Sequence, residues 1–229
     1  MKTPQTICVI QFRVNSTRLK NKIFLKLHKK KTSIELLIDK ISNFKLVDKI
    51  ILATGNRKKN VILKKKIKFK NTQLLFGSEM NVSSRFYNIC KIYKNSYIIR
   101  VTGDNQLTEI KYIKFLLKKI KYTRFKFVMM NNLKIPYGSG VEIFKSSFYL
   151  ENFKKIKTNF EKENVYEHLK KTKFFKIFDP PQAYKCHPFR VTLDTKEDYF
   201  FLKYLFNKLH VNSIYDIEKF LLKNPHNEY

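Results

Sequence analysis

The alternation of short apolar runs with longer amphipathic segments constrains the fold of this chain more than any other feature. Apolar runs that predict buried strands cover residues 7–10, 49–54, 73–76 and 97–101. The intervening and following segments have the apolar periodicity of helices, at 32–44, 58–69, 82–93 and 109–121. Strands that alternate with helices across short connections are typical of a three-layer α/β fold with a mostly parallel, doubly wound sheet. Ligands of such sheets bind beyond the carboxyl ends of the strands.

The second half of the chain is less regular. Strands are predicted at 125–130, 141–144 and 187–193, and helices at 160–171, after Thr195 and after Ser213. A short helix capped by Ser146 or Ser147 is also predicted. Since neither an internal repeat nor a low-complexity linker interrupts the sequence, we expect one domain over residues 1–229.

Composition narrows the class of protein. The chain of 229 residues has no apolar run long enough to cross a membrane, and its first residues have no signal-peptide pattern. Its three cysteines, Cys8, Cys90 and Cys186, are isolated, which is typical of a reduced, cytoplasmic protein rather than of a disulfide framework or a metal knuckle. We therefore expect a cytoplasmic protein without a membrane span.

The net charge of +30 at first suggests a nucleic-acid-binding protein. However, the excess is mostly Lys and is spread over every amphipathic segment, as expected for solvated helix faces in a chain of biased composition. Nucleic acid is therefore not the expected partner, although nucleic-acid binding stays the competing class. The few Arg residues are more informative, because each is a candidate for a site that needs a planar, bidentate donor; five of the seven fall in stretches singled out on other grounds, and Arg57 and Arg124 do not.

The loop after the first strand has the composition of a phosphate-binding loop. It contains Arg13, Arg18 and Lys22 together with the hydroxyl residues Ser16 and Thr17. Guanidinium and ammonium groups pair with phosphate charge, while hydroxyl and backbone N–H groups donate to phosphate oxygens. Because the loop follows a buried strand, it is the first candidate site.

A carboxylate at another strand end is a candidate metal ligand. Asp104 follows Gly103 at the end of the strand at 97–101, and a nucleotide-bound Mg²⁺ commonly takes one or two such carboxylates. Gly-Asp is also ordinary turn chemistry, which is the alternative. Asp194 ends the strand predicted at 187–193, and Thr195 and Asp198 after it form a capping pattern for the next helix.

Together these stretches resemble the cytidylyltransferases. Residues 11–22 are similar to the phosphate loop of that family, Q-A-R-x-x-S-x-R-L-P-G-K, and in particular to its SpsF-type branch. That branch is named for spore-coat polysaccharide synthesis and is related to the CMP-sugar synthetases. Residues 100–104 resemble R-[IV]-T-G-D, residues 193–198 resemble [LV]-D-T-x-E-D, and further likenesses lie at 76–87, 138–144 and 161–165. The resemblance implies a Rossmann-like, nucleotide-diphospho-sugar transferase architecture.

The resemblance also implies an activity, the transfer of CMP from CTP to a sugar or sugar acid with release of pyrophosphate, for surface polysaccharide or glycoconjugate synthesis. It implies that Asp104 and Asp194 bind Mg²⁺, and that Arg13, Lys22 and Asp104 are catalytic. The implied nucleotide-binding residues are Gln11, Arg13, Ser16, Thr17, Arg18, Lys22, Arg85 and Arg100. The implied acceptor-binding residues are Gly140, Glu142 and Arg190. For Arg85, a surface position on an amphipathic helix is the alternative.

The sequence departs from the family pattern at a few positions. The departures are Phe12 for a small residue, Asn15 for Gly, Lys20-Asn21 for Pro-Gly, Gly140 for Asp, and Asn164 for His. Because Gly140 and Asn164 lie toward the implied acceptor side, a family member that binds nucleotide without turnover is a third hypothesis. The acceptor, the base preference and the oligomeric state stay open; relatives are commonly dimers, so a homodimer is one alternative.

Overall fold

The structure, a computed structural model, describes residues 3–14, 16, 18–57, 63, 72–186 and 189–224. Within these ranges seven strands form one sheet in the order β5–β4–β1–β6–β8–β7–β9. These strands are β1 (Gln5–Gln11), β4 (Lys49–Thr54), β5 (Thr72–Phe76), β6 (Ser96–Thr102), β7 (Phe127–Met130), β8 (Glu142–Lys145) and β9 (Phe175–Phe178). A separate hairpin consists of β2 (Lys26–His28) and β3 (Lys31–Thr32).

Most of the sheet is parallel, as predicted. Strand β1 lies between β4 and β6 and pairs with both in parallel, and β4 pairs in parallel with β5. Strand β8 is the exception, because it runs antiparallel to both β6 and β7. The edge strand β9 is again parallel to its neighbour β7. The prediction of a doubly wound α/β sheet is therefore confirmed.

Helices pack on both faces of the sheet and make three layers. The described α-helices are α1 (Ser33–Ser42), α2 (Val82–Ile92), α3 (Ile110–Tyr122), α4 (Ser146–Asn152), α5 (Asn159–Glu163), α6 (Lys196–Asn207) and α7 (Ile214–Lys223). The predicted caps of the last two helices are confirmed, since Thr195 Oγ1 accepts from the N–H of Asp198 and Ser213 Oγ from that of Tyr215. Each cap satisfies an N–H group that has no partner inside its helix.

The side chains of β1 divide the core in two. Cys8 and Ile10 pack with α1, α3, α6 and α7, whereas Ile7 and Val9 pack with α2 and α4 on the other face. All four side chains are fully buried. This alternation is the two-residue period of a strand covered on both faces, and it explains why residues 7–10 form a continuous apolar run.

Several predictions for the second half of the chain are wrong. The helix predicted at 160–171 is only the short α5, followed by a 3₁₀ turn at Glu167–Leu169. Between them Asn164 takes φ −100° and ψ 97°, an extended conformation that ends α5, and Val165 and Leu169 beyond it are buried in the core.

The strand predicted at 187–193 is also wrong for its described part. Residues 189–193 are extended but join no sheet, and only an isolated bridge links Arg190 with Tyr137. Ser146 does not cap α4, because Lys145 is the cap and the Ser146 hydroxyl bonds to the N–H of Ser96 and the carbonyl of Lys94. The helix predicted at 58–69 lies outside the described residues except for the buried Leu63.

No described helix has the length and apolar character that crossing a membrane requires.

Candidate active site

The candidate site lies at the carboxyl ends of the central strands. A cleft of about 270 Å³ opens there, between the loop after β1 and the turn after β6. Its lining residues are Gln11, Phe12, Arg13, Ser16, Arg18, Lys22, Thr102 and Asp104. Six of these residues were singled out from the sequence, so the cleft gathers the predicted phosphate loop and one predicted metal ligand.

Lys22 and two carboxylates form the centre of the site. Lys22 Nζ lies 2.7 Å from Asp104 Oδ2 and 2.7 Å from Asp194 Oδ1. All three side chains are largely buried, and the Lys22 side chain is only 8% exposed. The structure therefore brings together the two carboxylates that were predicted to converge, and it places the predicted catalytic lysine between them.

Backbone hydrogen bonds hold the two carboxylate-bearing segments side by side. The N–H of Leu193 donates to the carbonyl of Asp104 at 2.8 Å. The N–H of Gly103 donates to the carbonyl of Gln11 at 2.7 Å, which ties the Asp104 turn to the end of β1. A Cβ at Gly103 would lie 2.8 Å from the Cβ of Phe12, so this close approach requires glycine.

Lys22 begins a 3₁₀ turn whose entry needs a left-handed residue. Asn21 before it has φ 55° and ψ 24°, a conformation that Asn tolerates better than most residues. The Ser33 hydroxyl donates to the carbonyl of Lys22 at 2.9 Å and fixes the turn against α1. Asn21 therefore keeps the backbone geometry of the glycine that it replaces in the family pattern.

Arg190 extends the charge network beyond Asp194. Its Nη2 lies 2.8 Å from Asp194 Oδ2 and 3.1 Å from Asp198 Oδ2, and its Nε lies 2.9 Å from Asp198 Oδ1. Asp198 also accepts from the N–H groups of Asp194 and Thr195. The sequence assigned Asp198 to helix capping alone; its contact with Arg190, eight residues earlier, gave no local signal.

The two carboxylates titrate differently. Burial would raise the pKa of Asp194, but the hydrogen bond and charge of Lys22, with Arg190 and Arg18, lower it overall. Arg18 Nη2 lies 3.3 Å from Asp194 Oδ1. Burial raises the pKa of Asp104 above its ordinary value and the nearby Asp194 adds to this, although Lys22 opposes it.

The site fits a hard divalent cation. The two carboxylate oxygens already share one cation, the Lys22 ammonium, at equal distances. Among the described residues, no cluster of three or more His, Cys, Asp or Glu side chains could hold a metal. A Mg²⁺ ion that takes one or two protein carboxylates and completes its shell with phosphate oxygens and water suits such a donor set. Asp104 and Asp194 are the residues that would hold it.

Arg100 connects residues that were predicted for different substrates. It lies on β6, and its Nε donates to Gln11 Oε1 at 2.9 Å while its Nη1 donates to Glu142 Oε2 at 2.6 Å. Gln11 was predicted to bind nucleotide and Glu142 to bind the acceptor. Arg13 forms a more exposed pair with Glu163 at 3.2 Å. Arg100 and Arg13 are therefore each paired with a glutamate from a later part of the chain.

Arg85 is buried and contacts the backbone beneath the phosphate loop. Its Nη1 donates to the carbonyls of Phe12 and Ala53, at 3.3 and 3.2 Å, and the residue is 4% exposed. Burial lowers its pKa to about 10, and the charges of Arg13 and Arg100 add to this while Glu79 opposes it. The surface alternative for Arg85 is thus wrong, since its side chain is buried and contacts the backbone at the ends of β1 and β4.

The remaining predicted residues lie around the cleft. Ser16 Oγ accepts from the N–H of Leu19 at 3.4 Å, whereas Thr17 and Asn15 lie outside the described residues. A Cβ at Gly140 would lie 2.8 Å from Asn132 Oδ1, so this position, where the family has Asp, has no room for a side chain without a shift of Asn132. The loop that carries Gly140 reaches the Arg190 segment through the Tyr137 bridge.

This fold and site define a class of protein: an α/β enzyme whose strand-end cleft combines two convergent carboxylates with Lys and Arg for a phosphorylated ligand. Comparison with known proteins gives the family. The cytidylyltransferase family matches residues 7–224, and the chain belongs to it. It is therefore a nucleotidyltransferase by family, as the sequence motifs implied.

Individual relatives match over most of the chain. The chain is 33% identical over 225 residues to the uncharacterized protein MJ1063 of Methanocaldococcus jannaschii, covering 96% of this chain and 91% of that protein. It is 22% identical over 208 residues to the spore coat polysaccharide biosynthesis protein SpsF of Bacillus subtilis, covering 87% and 85%. A cytidylyltransferase structure from Leptospira borgpetersenii superposes with a TM-score of 0.85 at 24% identity, covering 98% and 99% of the two chains.

Proposed function

We propose that this protein transfers CMP from CTP to a hydroxyl group of a sugar or sugar acid, with Mg²⁺ as cofactor and pyrophosphate as the other product. The observation that carries the proposal is the Lys22 ammonium held between Asp104 and Asp194, in a cleft that the phosphate loop also lines. Membership of the cytidylyltransferase family supports CTP as the nucleotide.

The residues of the cleft have distinct parts in this proposal. Arg13, Arg18 and Lys22 pair with the triphosphate, and Ser16 and Thr17 donate hydrogen bonds to it. Asp104 and Asp194 would hold the Mg²⁺ ion, which would supply charge neutralisation on the phosphates. Arg190 keeps Asp194 oriented throughout.

The acceptor oxygen attacks the α-phosphorus in line. A new bond forms between this oxygen and the phosphorus as the hydroxyl releases its proton to water, while the bond from the α-phosphorus to the bridging oxygen of pyrophosphate breaks. The protein contributes positioning and charge neutralisation rather than covalent chemistry. Gly140, Glu142 and Arg190 lie toward the acceptor in this proposal. The likeness to SpsF supports an acceptor used for surface polysaccharide.

A nucleotide panel followed by thermal unfolding tests the proposal. CTP with Mg²⁺ should raise the melting temperature more than ATP, GTP or UTP, and Asp104→Asn should lose most of the Mg²⁺-dependent part. Pyrophosphate release with a panel of sugars and sugar acids then tests turnover. Stabilisation without pyrophosphate would support a nucleotide-binding protein without turnover, and a chain that ignores every nucleotide would overturn the proposal.

A further inference from the structure

The charges around the predicted metal ligands are balanced by protein groups alone. Among the described residues, three cationic side chains contact three carboxylates at distances of 2.7 to 3.3 Å: Lys22, Arg18 and Arg190 contact Asp104, Asp194 and Asp198. These six groups carry equal numbers of positive and negative charges, so a divalent cation by itself would add two uncompensated charges to a neutral network.

Both oxygens of Asp194 already contact cationic side chains. Its Oδ1 lies 2.7 Å from Lys22 Nζ and 3.3 Å from Arg18 Nη2, and its Oδ2 lies 2.8 Å from Arg190 Nη2. Lys22 Nζ also lies 2.7 Å from Asp104 Oδ2, so one ammonium group contacts both carboxylates. A divalent cation that is held by Asp104 and Asp194 together therefore competes with Lys22 at both residues.

Lys22 cannot leave the carboxylates without a cost, because its side chain is only 8% exposed. The turn that carries it is fixed, since the Ser33 hydroxyl donates to the Lys22 carbonyl and Asn21 before it has the left-handed φ of 55°. A buried ammonium that loses its counter-charges is strongly unfavourable. An anion in the cleft, which Lys22 and Arg18 both line, would supply that counter-charge.

We propose that Lys22 makes the binding of a divalent cation depend on a polyphosphate in the cleft. Without polyphosphate, Lys22 holds both carboxylates and a free cation binds weakly. With polyphosphate, phosphate oxygens compensate Lys22 and Arg18, and the carboxylates become available to the cation. The inference rests on the proposed function for the physiological polyphosphate, the triphosphate of CTP, and it adds the residue that couples the two ligands.

Such coupling is reciprocal, so the cation must raise the affinity for polyphosphate by the same factor. The cation and the triphosphate then bind as a pair, and each binds more weakly alone. A coupling of ordinary strength changes each affinity by about fivefold or more. Replacing Lys22 by an uncharged residue removes the competition, so the variant should bind a free cation more tightly although its cleft has lost a group that pairs with phosphate.

Equilibrium dialysis of the full chain with Mn²⁺ as the probe tests the proposal, with and without tripolyphosphate and with affinities referred to the free Mn²⁺ concentration. Tripolyphosphate should tighten Mn²⁺ binding to the wild type by about fivefold or more. Without tripolyphosphate, Lys22→Met should bind Mn²⁺ about tenfold or more tightly than the wild type, since two charged hydrogen bonds no longer compete. Lys114→Met, on the exposed face of α3, makes the same change of charge and should behave as the wild type.

Equal Mn²⁺ affinities of wild type and Lys22→Met without tripolyphosphate would overturn the proposal, and so would a wild type whose Mn²⁺ affinity ignores tripolyphosphate. Should Lys22→Met fail to fold, Arg18→Gln replaces it, because the Arg18 side chain is 67% exposed and contacts Asp194. Arg18→Gln should also tighten Mn²⁺ binding without tripolyphosphate, and unchanged binding would contradict the proposal. None of these measurements uses CTP, so their failure leaves the proposed CMP transfer standing, and pyrophosphate release from CTP tests that reaction separately.

Discussion

At the scale of single residues, the Lys22 ammonium compensates two buried carboxylates at once. Its contacts with Asp104 and Asp194 are both 2.7 Å, and neither side chain has much access to water. Removing one partner of a buried charge network costs far more than removing an exposed pair, because the remaining charges stay buried and uncompensated. For the same reason, we expect a cation that replaces the ammonium beside these two carboxylates to change the free energy of unfolding.

We therefore predict that Lys22→Met lowers the free energy of unfolding by about 3 kcal/mol in the absence of divalent cations. Mg²⁺ should restore part of this loss, since it would neutralise the two carboxylates in place of the ammonium. Urea unfolding with and without Mg²⁺ measures both effects. Lys114→Met is the matched control, and a Mg²⁺ response no larger in Lys22→Met than in this control would contradict the prediction.

The sequence located most residues of the site but could not supply their contacts. Arg13, Lys22, Asp104 and Asp194 stand in motifs that are local in sequence. The pairing of Asp198 with Arg190 could not be predicted, because its capping role already accounted for its sequence environment. The burial of Arg85 depends on the carbonyls of two different strands, and periodicity within one helix does not report such contacts.

At the scale of elements, the start of α6 supports the site. Thr195 directly follows Asp194, and its hydroxyl accepts the N–H of Asp198, whose carboxylate in turn accepts the N–H groups of Asp194 and Thr195. The cap therefore fixes both the helix and the backbone of a predicted metal ligand. The cap of α7 at Ser213 has the same form without that link to the cleft.

For Thr195→Ala we expect a loss of about 1 kcal/mol in the free energy of unfolding, as for other lost caps, together with a weaker Mg²⁺-dependent response to CTP. Ser213→Ala should lose at least as much stability, because its hydroxyl also donates to the buried Glu109, and should keep the response. Chemical unfolding and CTP-dependent thermal shifts distinguish the two variants. Equal CTP responses in both would show that the α6 cap has no part in holding Asp194.

The 3₁₀ turn at Glu167–Leu169 contains a histidine that folding keeps from water. His168 packs edge-on against Tyr149 with ring centroids 5.7 Å apart, and neither ring nitrogen has a hydrogen-bond partner among the described residues. Burial lowers the pKa of His168 to about 4, although Glu161 opposes this, while Lys155 adds to it. The imidazole is therefore neutral in the folded chain under conditions where it is charged in the unfolded one.

This difference predicts a pH dependence of stability. Between the ordinary pKa of 6.5 and about 4, the unfolded chain binds a proton that the folded chain does not, so the free energy of unfolding decreases as the pH falls. His168→Phe keeps an aromatic ring and removes the proton site, so this variant should lose less stability across the same window. Parallel pH profiles for wild type and variant would refute the assignment.

Regular elements were predictable from the sequence, and irregular ones were not. Strands β1, β4 and β6 and helices α1 and α3 have clear periodicity and are confirmed within a few residues. The hairpin β2–β3 was missed because its strands have only three and two residues, and its turn needs a left-handed Lys29 (φ 51°). The extended segment at 189–193 looked like a strand because it is half-buried, yet its backbone bonds to loops instead of a sheet.

At the scale of the whole molecule, the described lysines lie on many different elements rather than on one. Lysines cover aromatic rings on separate surfaces: Lys111 Nζ lies 4.6 Å from the ring of Tyr215, Lys126 Nζ 4.7 Å from that of Phe174, and Lys91 Nζ 5.0 Å from that of Tyr87. Such side chains pack their stems on apolar surface and keep the charge in water. This distribution favours solvated faces over one nucleic-acid-binding surface.

We predict that duplex DNA binds this chain only through non-specific charge contacts. The dissociation constant should be on the order of 10⁻⁴–10⁻⁶ M at physiological salt and should weaken steeply as salt rises. Stabilisation by CTP with Mg²⁺ should change much less over the same range, because its contacts are partly buried. Across a salt series, fluorescence anisotropy measures DNA binding and thermal shift measures stabilisation by CTP with Mg²⁺. Tight DNA binding that resists salt would instead favour a nucleic-acid-binding protein.

The backbone hydrogen bond from Leu193 to Asp104 has a consequence for any enzymologist who dissects the site. Since main-chain atoms join the two acid-bearing segments, trimming either carboxyl group leaves the other where it was. Because Lys22 contacts both carboxylates, each single replacement also changes the charge balance at the other, and the double replacement gives a thermodynamic cycle for how strongly the two cooperate.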